Sequence, residues 1–407
     1  MDQSYVARAK PRRRRGNFIK VSTIIACGLG IFWLGVGVGS GKIGPDSIYH
    51  KPVASGLPKN LDYSSVEEIY DELKSSYDGQ LTRSQLLDGI KTGLAQATGD
   101  PYTEYFSPKA AKQFNEQLSG SFSGIGAVLG KDKANNLVVI SPIAGSPADK
   151  AGLKAADIIS EINKTSTIGM NTDEAVSRIR GDVGTKVTLK LIRAGVQTLS
   201  LTITRDNITI PSVTTKTLDG NIGYLQISQF SEDTAELAAQ AATKFKQDGV
   251  KGIVLDLRGD PGGLLNSAVS ISSLWLPKGK TILTERRGGS TVKTFTSDGT
   301  NTLGGIPTVV LIDGGSASAS EITAAALRDN KVATLMGVTS FGKGSVQEIN
   351  KLPGGAELKV TIAHWFTPAG KNIDKQGIKP DKEVKQPKDL AEVQDPQLDA
   401  AKAFLTK

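Results

Sequence analysis

Apolar and polar positions along this chain follow different periods in successive stretches. SSVEEIYDELKSSY sets Val66, Ile69, Tyr70, Leu73 and Tyr77 on one face of a helix, because residues three and four apart share a face. LTRSQLLDGIKTGLAQATG reads as a second helix stopped by glycine, and the aromatic DPYTEYFSP as a turn. Residues 61–118 therefore read as a helical packing unit. From 119 to 205 the period shortens to two. SFSGIGAVLG and LVVISPI read as strands, AGSPADKAGLKAADIISEIN as a short helix and a strand, TDEAVSRIRG as a helix, and KVTLKLIRAG with VQTLSLTITR as a hairpin. From 206 to 385 strands and helices alternate. NIGYLQISQF, GIVLDLRG, PTVVLID, VATLMG, SVQEINKL and AELKVTIAHWFTP read as strands, the last two joined by a PGG turn. Between the earlier ones lie the helices DTAELAAQAATKFKQDG, with Leu237, Ala238, Ala241 and Phe245 on one side, DPGGLLNSAVSISSLWLP and EITAAALRD. Such alternation implies a sheet with helices on its faces. In the tail, 386–407, DPQLDAAKAFL carries a weak helical stripe that suits either the core or a second subunit.

Ahead of these elements, Val21 to Gly41 holds no charged residue, about the length that spans a bilayer. The arginine block before it, in the basic segment 1–20, predicts a cytoplasmic N-terminus and an extracytoplasmic remainder. A retained anchor is the reading adopted, with a cleaved signal peptide as its alternative. Residues 42–60, rich in Pro and Gly, read as a linker that includes His50.

The net charge of +8 changes little. Residues 1–20 hold seven basic residues against Asp2, a balance of +6 that leaves +2 for the rest. A nearly neutral folded part argues against nucleic acid as a partner. Cys27 is the sole cysteine, so no internal disulfide or cysteine-based metal site is available, and two histidines leave little for zinc. No metal and no cofactor is expected.

The candidate chemistry lies in VVLIDGGSASASEITAAAL and SFGKGSVQ. A serine at a strand-to-helix junction sits beside free N–H groups and the positive end of a helix dipole. Ser316, Ser318 and Ser320 all qualify as nucleophile, and Ser318-Ala-Ser-Glu321 equally fits a capping box. His364, on an alternating strand beside Trp365, is one candidate base. Lys343, between Gly342 and Gly344, is the better one, provided burial lowers its pKa by about 3 units from ~10.4, a differential interaction of about 4 kcal/mol.

Two resemblances sharpen these readings. FSGIGAVL, SPADKAGLKAADIISEIN and the helix at 172–180 resemble a PDZ domain. The likeness implies that Gly124, Ile125, Gly126 and Ala127 bind substrate, with amides near Ile125 to Ala127 holding a terminal carboxylate and the adjacent strand pairing with the peptide. Ala156-Asp157 departs from the usual Gly-Asp, and Lys164 stands where glycine is usual. DPYTEYF, LDLRGDPGGLL, SASASE, FGKGSVQ and GKNIDKQGIKPD, with the PDZ-like stretch inserted after the first, resemble the C-terminal processing peptidases over roughly residues 60–385. That resemblance implies Ser318 as nucleophile, Lys343 as general base, Gln347 as the residue orienting the lysine, and the N–H of Ala319 and of Gly263 or its neighbour Gly262 as oxyanion donors. Asp260 replaces the usual asparagine of LRxNPGG and is expected to point away from the oxyanion or to be paired. Asp313 likewise stands where asparagine is common.

The fold expected is a mixed α/β protease core (206–385) resembling the ClpP/crotonase type, with an inserted PDZ-like, β-rich domain (119–205) and an N-terminal transmembrane helix (21–41). The function expected is a membrane-anchored serine endopeptidase that acts on extracytoplasmic polypeptides with exposed C-termini, possible homo-oligomer formation being left open. The alternatives are a membrane-tethered PDZ scaffold with an inactive core and a crotonase- or Clp-like hydrolase.

Overall fold

The computed structural model describes residues 60–194, 197–386 and 395–407. The predicted membrane segment and nearly all of the linker lie outside them. Among the described residues no helix is long and apolar enough to cross a membrane. The residues before Leu81 form one compact unit and those from Leu81 onward another.

In the first unit helix α1 (Ser64–Ser76) is opened by Asp62, whose Oδ1 accepts the Ser64 N–H at 3.0 Å. The predicted stripe is present, yet the helix buries none of its residues, and Ile69 is 63% exposed. The division after Gln80 falls within the stretch 61–118.

In the second unit α2 (Arg83–Gln96) starts with a capping box between Thr82 and Gln85. The aromatic DPYTEYFSP is not only a turn. Its centre forms β1 (Glu104–Phe106), paired antiparallel with the distant strand Glu357–Phe366. Helix α3 (Pro108–Ser119) follows, capped by Ser107 and ended by left-handed Gly120.

The inserted module begins at β2 (Ser121–Gly124) and continues through β3 (Ala127–Lys131), β4 (Leu137–Pro142), α4 (Pro147–Lys150), β5 (Ile158–Ile162), β6 (Thr165–Ser166), α5 (Thr172–Ile179), β7 (Lys186–Arg193) and β8 (Gln197–Thr204) to β9 (Asp206–Thr209). β2 pairs with β9, closing the module at its entry and exit. The sheet runs β3-β4-β5-β7-β8 around Leu137, Val139, Ile159, Leu189 and Leu191. Ala156 and Lys164, which stand where glycine is usual, both have φ +66°. The usual glycine thus answers a left-handed backbone, and this chain adopts the same turn with side chains present.

The core sheet is built from β10 (Val213–Leu218), β11 (Ile222–Ile227), β12 (Gly252–Asp256), β15 (Thr308–Ile312), β16 (Thr334–Gly337) and β19 (Lys382–Glu383), in that order and parallel after β10. β12 and β15 are buried throughout, as continuous apolar runs in parallel sheets are. One face, with Leu225, Ile227, Ile253, Leu255, Val310 and Ile312, packs on α6 (Thr234–Gln247), α7 (Leu265–Ser273) and α8 (Ala319–Asp329). The other face is covered by α9 (Pro396–Leu405), which lays Leu398, Ala401, Phe404 and Leu405 over Ile222, Tyr224, Val254, Val309, Leu311 and Met336. The tail therefore packs on the core.

A second, antiparallel sheet was not expected. β18 (Glu357–Phe366) sits at its centre, flanked on one side by β1 and β13 (Thr281–Arg287) and on the other by β17 (Ser345–Lys351), while β14 (Ser290–Thr296) extends β13. The hairpin β13–β14 escaped the sequence pattern because β14 is mostly exposed, and a solvated strand leaves little hydrophobic periodicity.

Candidate active site

β15 ends at Ile312, and a short turn leads into α8. The three serines of that turn have different surroundings. Ser316 is buried. Its Oγ donates to the Leu257 carbonyl at 2.7 Å and accepts the Asp313 N–H at 3.0 Å. Ser320 is buried too, and its Oγ donates to the Asp260 carbonyl at 3.0 Å. Ser318 alone of the three lines a cleft of about 330 Å³, together with Ala319, Gly262, Gly263, Lys343 and Gln347. Its backbone, φ 51° and ψ −112°, is a conformation that costs an L-residue roughly 1–3 kcal/mol and persists only when its surroundings over-determine it.

Glu321 supplies much of that determination. It is wholly buried, one turn into α8. Its Oε2 accepts the N–H groups of Ser318 and Lys343, both at 2.9 Å, and its Oε1 accepts the Gly342 N–H at 2.7 Å and the Ser340 hydroxyl at 2.6 Å. The Ser318–Glu321 half of the capping box thus exists, and the same carboxylate ties the serine turn to the lysine loop. Burial pushes the Glu321 carboxyl up, against these four donors.

The N–H groups of Ala319 and Gly263 meet no acceptor among the described residues. Gly262 does not join them, because its N–H donates to Asp260 Oδ1 at 2.8 Å. Between the two glycines offered by the sequence, the free amide is that of Gly263, and Asp260 is the group that engages the other. Gly262 is nonetheless indispensable in shape. At φ +93°, a Cβ there would lie 2.6 Å from the Ala317 carbonyl oxygen and 2.8 Å from the Ala319 nitrogen, filling the space between the amides.

Lys343 is held between two segments. A Cβ on Gly342 would stand 2.7 Å from the Gly377 nitrogen, and one on Gly344 2.7 Å from the Asp374 nitrogen. The GKG motif is therefore the close-packed partner of the NIDKQG segment. The Trp365 indole N–H donates to the Lys343 carbonyl at 2.9 Å, and the Lys343 Nζ lies 5.1 Å from the Tyr102 ring centroid. Burial lowers the Lys343 pKa and the neighbouring Lys359 charge lowers it further, while Glu321 and Asp100 pull the other way. No hydrogen bond joins Lys343 Nζ to Ser318 Oγ. Gln347 lines the cleft, but its Nε2 donates to Ser345 Oγ at 2.8 Å and Thr361 Oγ1 at 3.2 Å, and none of its hydrogen bonds reaches Lys343. His364 is exposed, outside the cleft.

In the PDZ-like module Gly124 ends β2, Ala127 begins β3, and Ile125 and Gly126 form the loop between. The Ile125 carbonyl accepts the Ala148 N–H at 2.8 Å, and that of Gly126 accepts the Ile143 N–H and the Ser146 hydroxyl, both at 2.9 Å. Their own N–H groups have no acceptor among the described residues. Among the described residues β3 pairs with β4 alone, which leaves its other edge open.

A family model for peptidase family S41 matches residues 221–384, and one for PDZ domains matches residues 138–193. The carboxy-terminal processing protease CtpA of Bacillus subtilis is 42% identical over 344 residues, covering 84% of this chain and 72% of that protein. The chain belongs to peptidase family S41. As a C-terminal processing protease it is a serine-type enzyme that acts on polypeptides. A CtpA-like serine protease of Staphylococcus haemolyticus is 37% identical over 84% of this chain and 68% of its own length. A solved S41 protease structure from Bacteroides fragilis, 16% identical, covers 86% of this chain and 99% of its own with a TM-score of 0.53, a likeness of fold. In this S41 chain the sequence reading missed two residues that hold the groups of the cleft without lining it themselves. Tyr102 lies in what reads as a plain turn. Glu321 was legible only as a cap, since nothing in SASASE shows that the Gly342 and Lys343 amides come to it from 21 and 22 residues away.

Proposed function

We propose that this S41 protease is a membrane-anchored endopeptidase whose Ser318 and Lys343 form a catalytic dyad in a core of the ClpP/crotonase type, with the catalytic part outside the cytoplasm. The observation that carries the reading is a single cleft holding Ser318, the serine of its turn whose hydroxyl is not tied to a core carbonyl, beside a half-buried lysine and two amides that meet no acceptor among the described residues. Neutral Lys343 swings from the Tyr102 ring to the Ser318 hydroxyl and takes its proton as Oγ bonds to the peptide carbonyl carbon. The N–H groups of Ala319 and Gly263 receive the oxyanion. Lys343 returns the proton to the departing amine as the C–N bond breaks, and water then hydrolyses the acyl-enzyme. Gln347 lines the same cleft and orients the lysine once Nζ has left the Tyr102 ring. The substrate backbone lies along β17, whose edge away from β18 is unpaired among the described residues and whose Ser345, Val346, Gln347 and Ile349 line the cleft. The PDZ module captures the substrate's terminal carboxylate on the Ile125 and Gly126 amides, with the peptide added to the open edge of β3.

The test is cleavage of an unfolded protein by the purified chain. Ser318→Ala and Lys343→Ala each lower kcat by about 10³-fold or more with unchanged thermal unfolding. The acid limb of the pH profile climbs as Lys343 loses its proton, below lysine's ordinary range. Cleavage retained by Ser318→Ala removes the dyad from consideration.

A further inference from the structure

Asp260 is a buried acid beside the cleft that the dyad does not use. It follows β12 in LRGDPGG and is wholly buried. Its Oδ1 accepts the Gly262 N–H at 2.8 Å, while its Oδ2, also shielded from solvent, has no partner. Its main-chain oxygen accepts the Ala317 N–H and the Ser320 hydroxyl, both at 3.0 Å. One residue thus grips both halves of the oxyanion hole. Through Gly262 it sets the turn that presents the Gly263 amide, and through Ala317 and Ser320 it sets the segment that presents the Ala319 amide.

Among the described residues no cation pairs with this side chain. Arg258, two residues earlier, forks onto Asp256 and Asp395 at 2.6 and 2.7 Å. Lys343, on the loop facing the cleft, makes no bond to Asp260. Arg328, near the far end of α8, bonds Asp329 at 3.0 Å. The nearer charged groups of the serine turn and of the start of α8 carry negative charge and are themselves engaged. Asp313 of the serine turn accepts the Gly259 and Gly315 amides, and Glu321 of α8 accepts Ser318, Gly342, Lys343 and Ser340. An ionised carboxylate with one bare buried oxygen and no counter-charge is costly, whereas a neutral carboxyl in the same place is not. Burial pushes Asp260 up to about 7, against the Gly262 N–H and the Ser320 hydroxyl, which favour the anion.

We propose that Asp260 is a positioning residue that works as a neutral carboxyl, holding the Gly262–Gly263 turn in its protonated form and weakening the oxyanion hole when it ionises. This inference rests on Ser318 being the nucleophile. The oxyanion that Ala319 and Gly263 receive develops next to the turn Asp260 braces. A second negative charge there opposes it, and a protonated carboxyl, like an asparagine amide, does not. The residue therefore draws a ceiling on activity as the pH rises through about 7.

The test compares kcat/KM on unfolded casein for the chain and its Asp260→Asn and Ser318→Ala variants, from about pH 6 to about pH 8.5, a window that brackets the titration. The ratio of Asp260→Asn to the unsubstituted chain is expected to rise about tenfold across that window. Infrared difference spectra between the same two proteins are expected to show a protonated carboxyl band at the acid end that is lost at the alkaline end. A flat ratio overturns the proposal, and so does a carboxylate band at the acid end. Failure of Asp260→Asn to fold also overturns it, because a neutral isostere should be tolerated where a neutral acid sits. Cleavage retained by Ser318→Ala overturns the nucleophile assignment instead, and the infrared result still reports the protonation of Asp260.

Discussion

Ser316, Ser318 and Ser320 stand two residues apart in a run of small side chains, and the local pattern treats them alike. Their difference is tertiary. Ser316 reaches the Leu257 carbonyl, 59 residues away, and Ser320 the Asp260 carbonyl, 60 residues away, which leaves Ser318 facing the cleft. The same holds for the glycines of the PGG turn, which the sequence offers as equivalents and which Asp260 separates by engaging one of them. Gly262 matters through what it lacks. Gly262→Ala is expected to lower kcat by about 10²–10³-fold, the usual effect of losing an oxyanion donor, because its Cβ would sit 2.8 Å from the Ala319 nitrogen. Steady-state kinetics beside a thermal melt checks this, and unchanged kcat in a folded variant contradicts it.

At the scale of elements, long periodic or continuous apolar runs were legible and solvated ones were not. GIVLDLRG and PTVVLID read as buried strands and are buried on both faces. β14 and β1 were missed, one for exposure and one because three residues of strand carry no period. The stripe of α1 was legible, but its burial was not, since a stripe states which face is apolar and not what covers it. The tail helix α9 was left between two partners by its sequence and is assigned by Arg258, which bonds Asp395 and Gln397 at its start, and by the apolar face it covers. Removing residues 395–407 uncovers Tyr224, Val254, Val309, Leu311 and Met336. Leu398, Phe404 and Leu405 are partly buried there, and at about half of the roughly 1.5–3 kcal/mol of a fully buried side chain each their loss alone is roughly 2–5 kcal/mol, a large part of the stability of a typical domain. The truncated chain is expected to be insoluble or molten by circular dichroism; a cooperative melt near that of the full chain would contradict the role given to this helix.

At the scale of the molecule, the arrangement places an inserted PDZ module between β1, which carries Tyr102 close before it, and the core strands that carry the cleft. β2 and β9 pair where the chain enters and leaves the module. The loop amides of Ile125 and Gly126 and the open edge of β3 suit a peptide end. A peptide with a free C-terminal carboxylate is expected to bind the chain at least about tenfold more tightly than its amide, since a charge-assisted bond to two amides is lost in the latter. Fluorescence anisotropy on the Ser318→Ala variant measures this without cleavage, and equal affinities would refute carboxylate capture.

The sequence by itself determined the family, the inserted PDZ domain, the parallel apolar strands and the short set of groups able to act as nucleophile and base. The family and the PDZ domain follow from the resemblance of long motifs, and the strands and candidate groups from local composition and period, which chain neighbours suffice to express. The tertiary structure alone decided which serine is exposed to the cleft, which glycine amide is free, that Glu321 joins the serine turn to the lysine loop, and that Asp260 lies buried without a counter-charge. Each of these depends on which donors and acceptors distant segments bring within 3 Å of one another, and no periodicity along the chain records that.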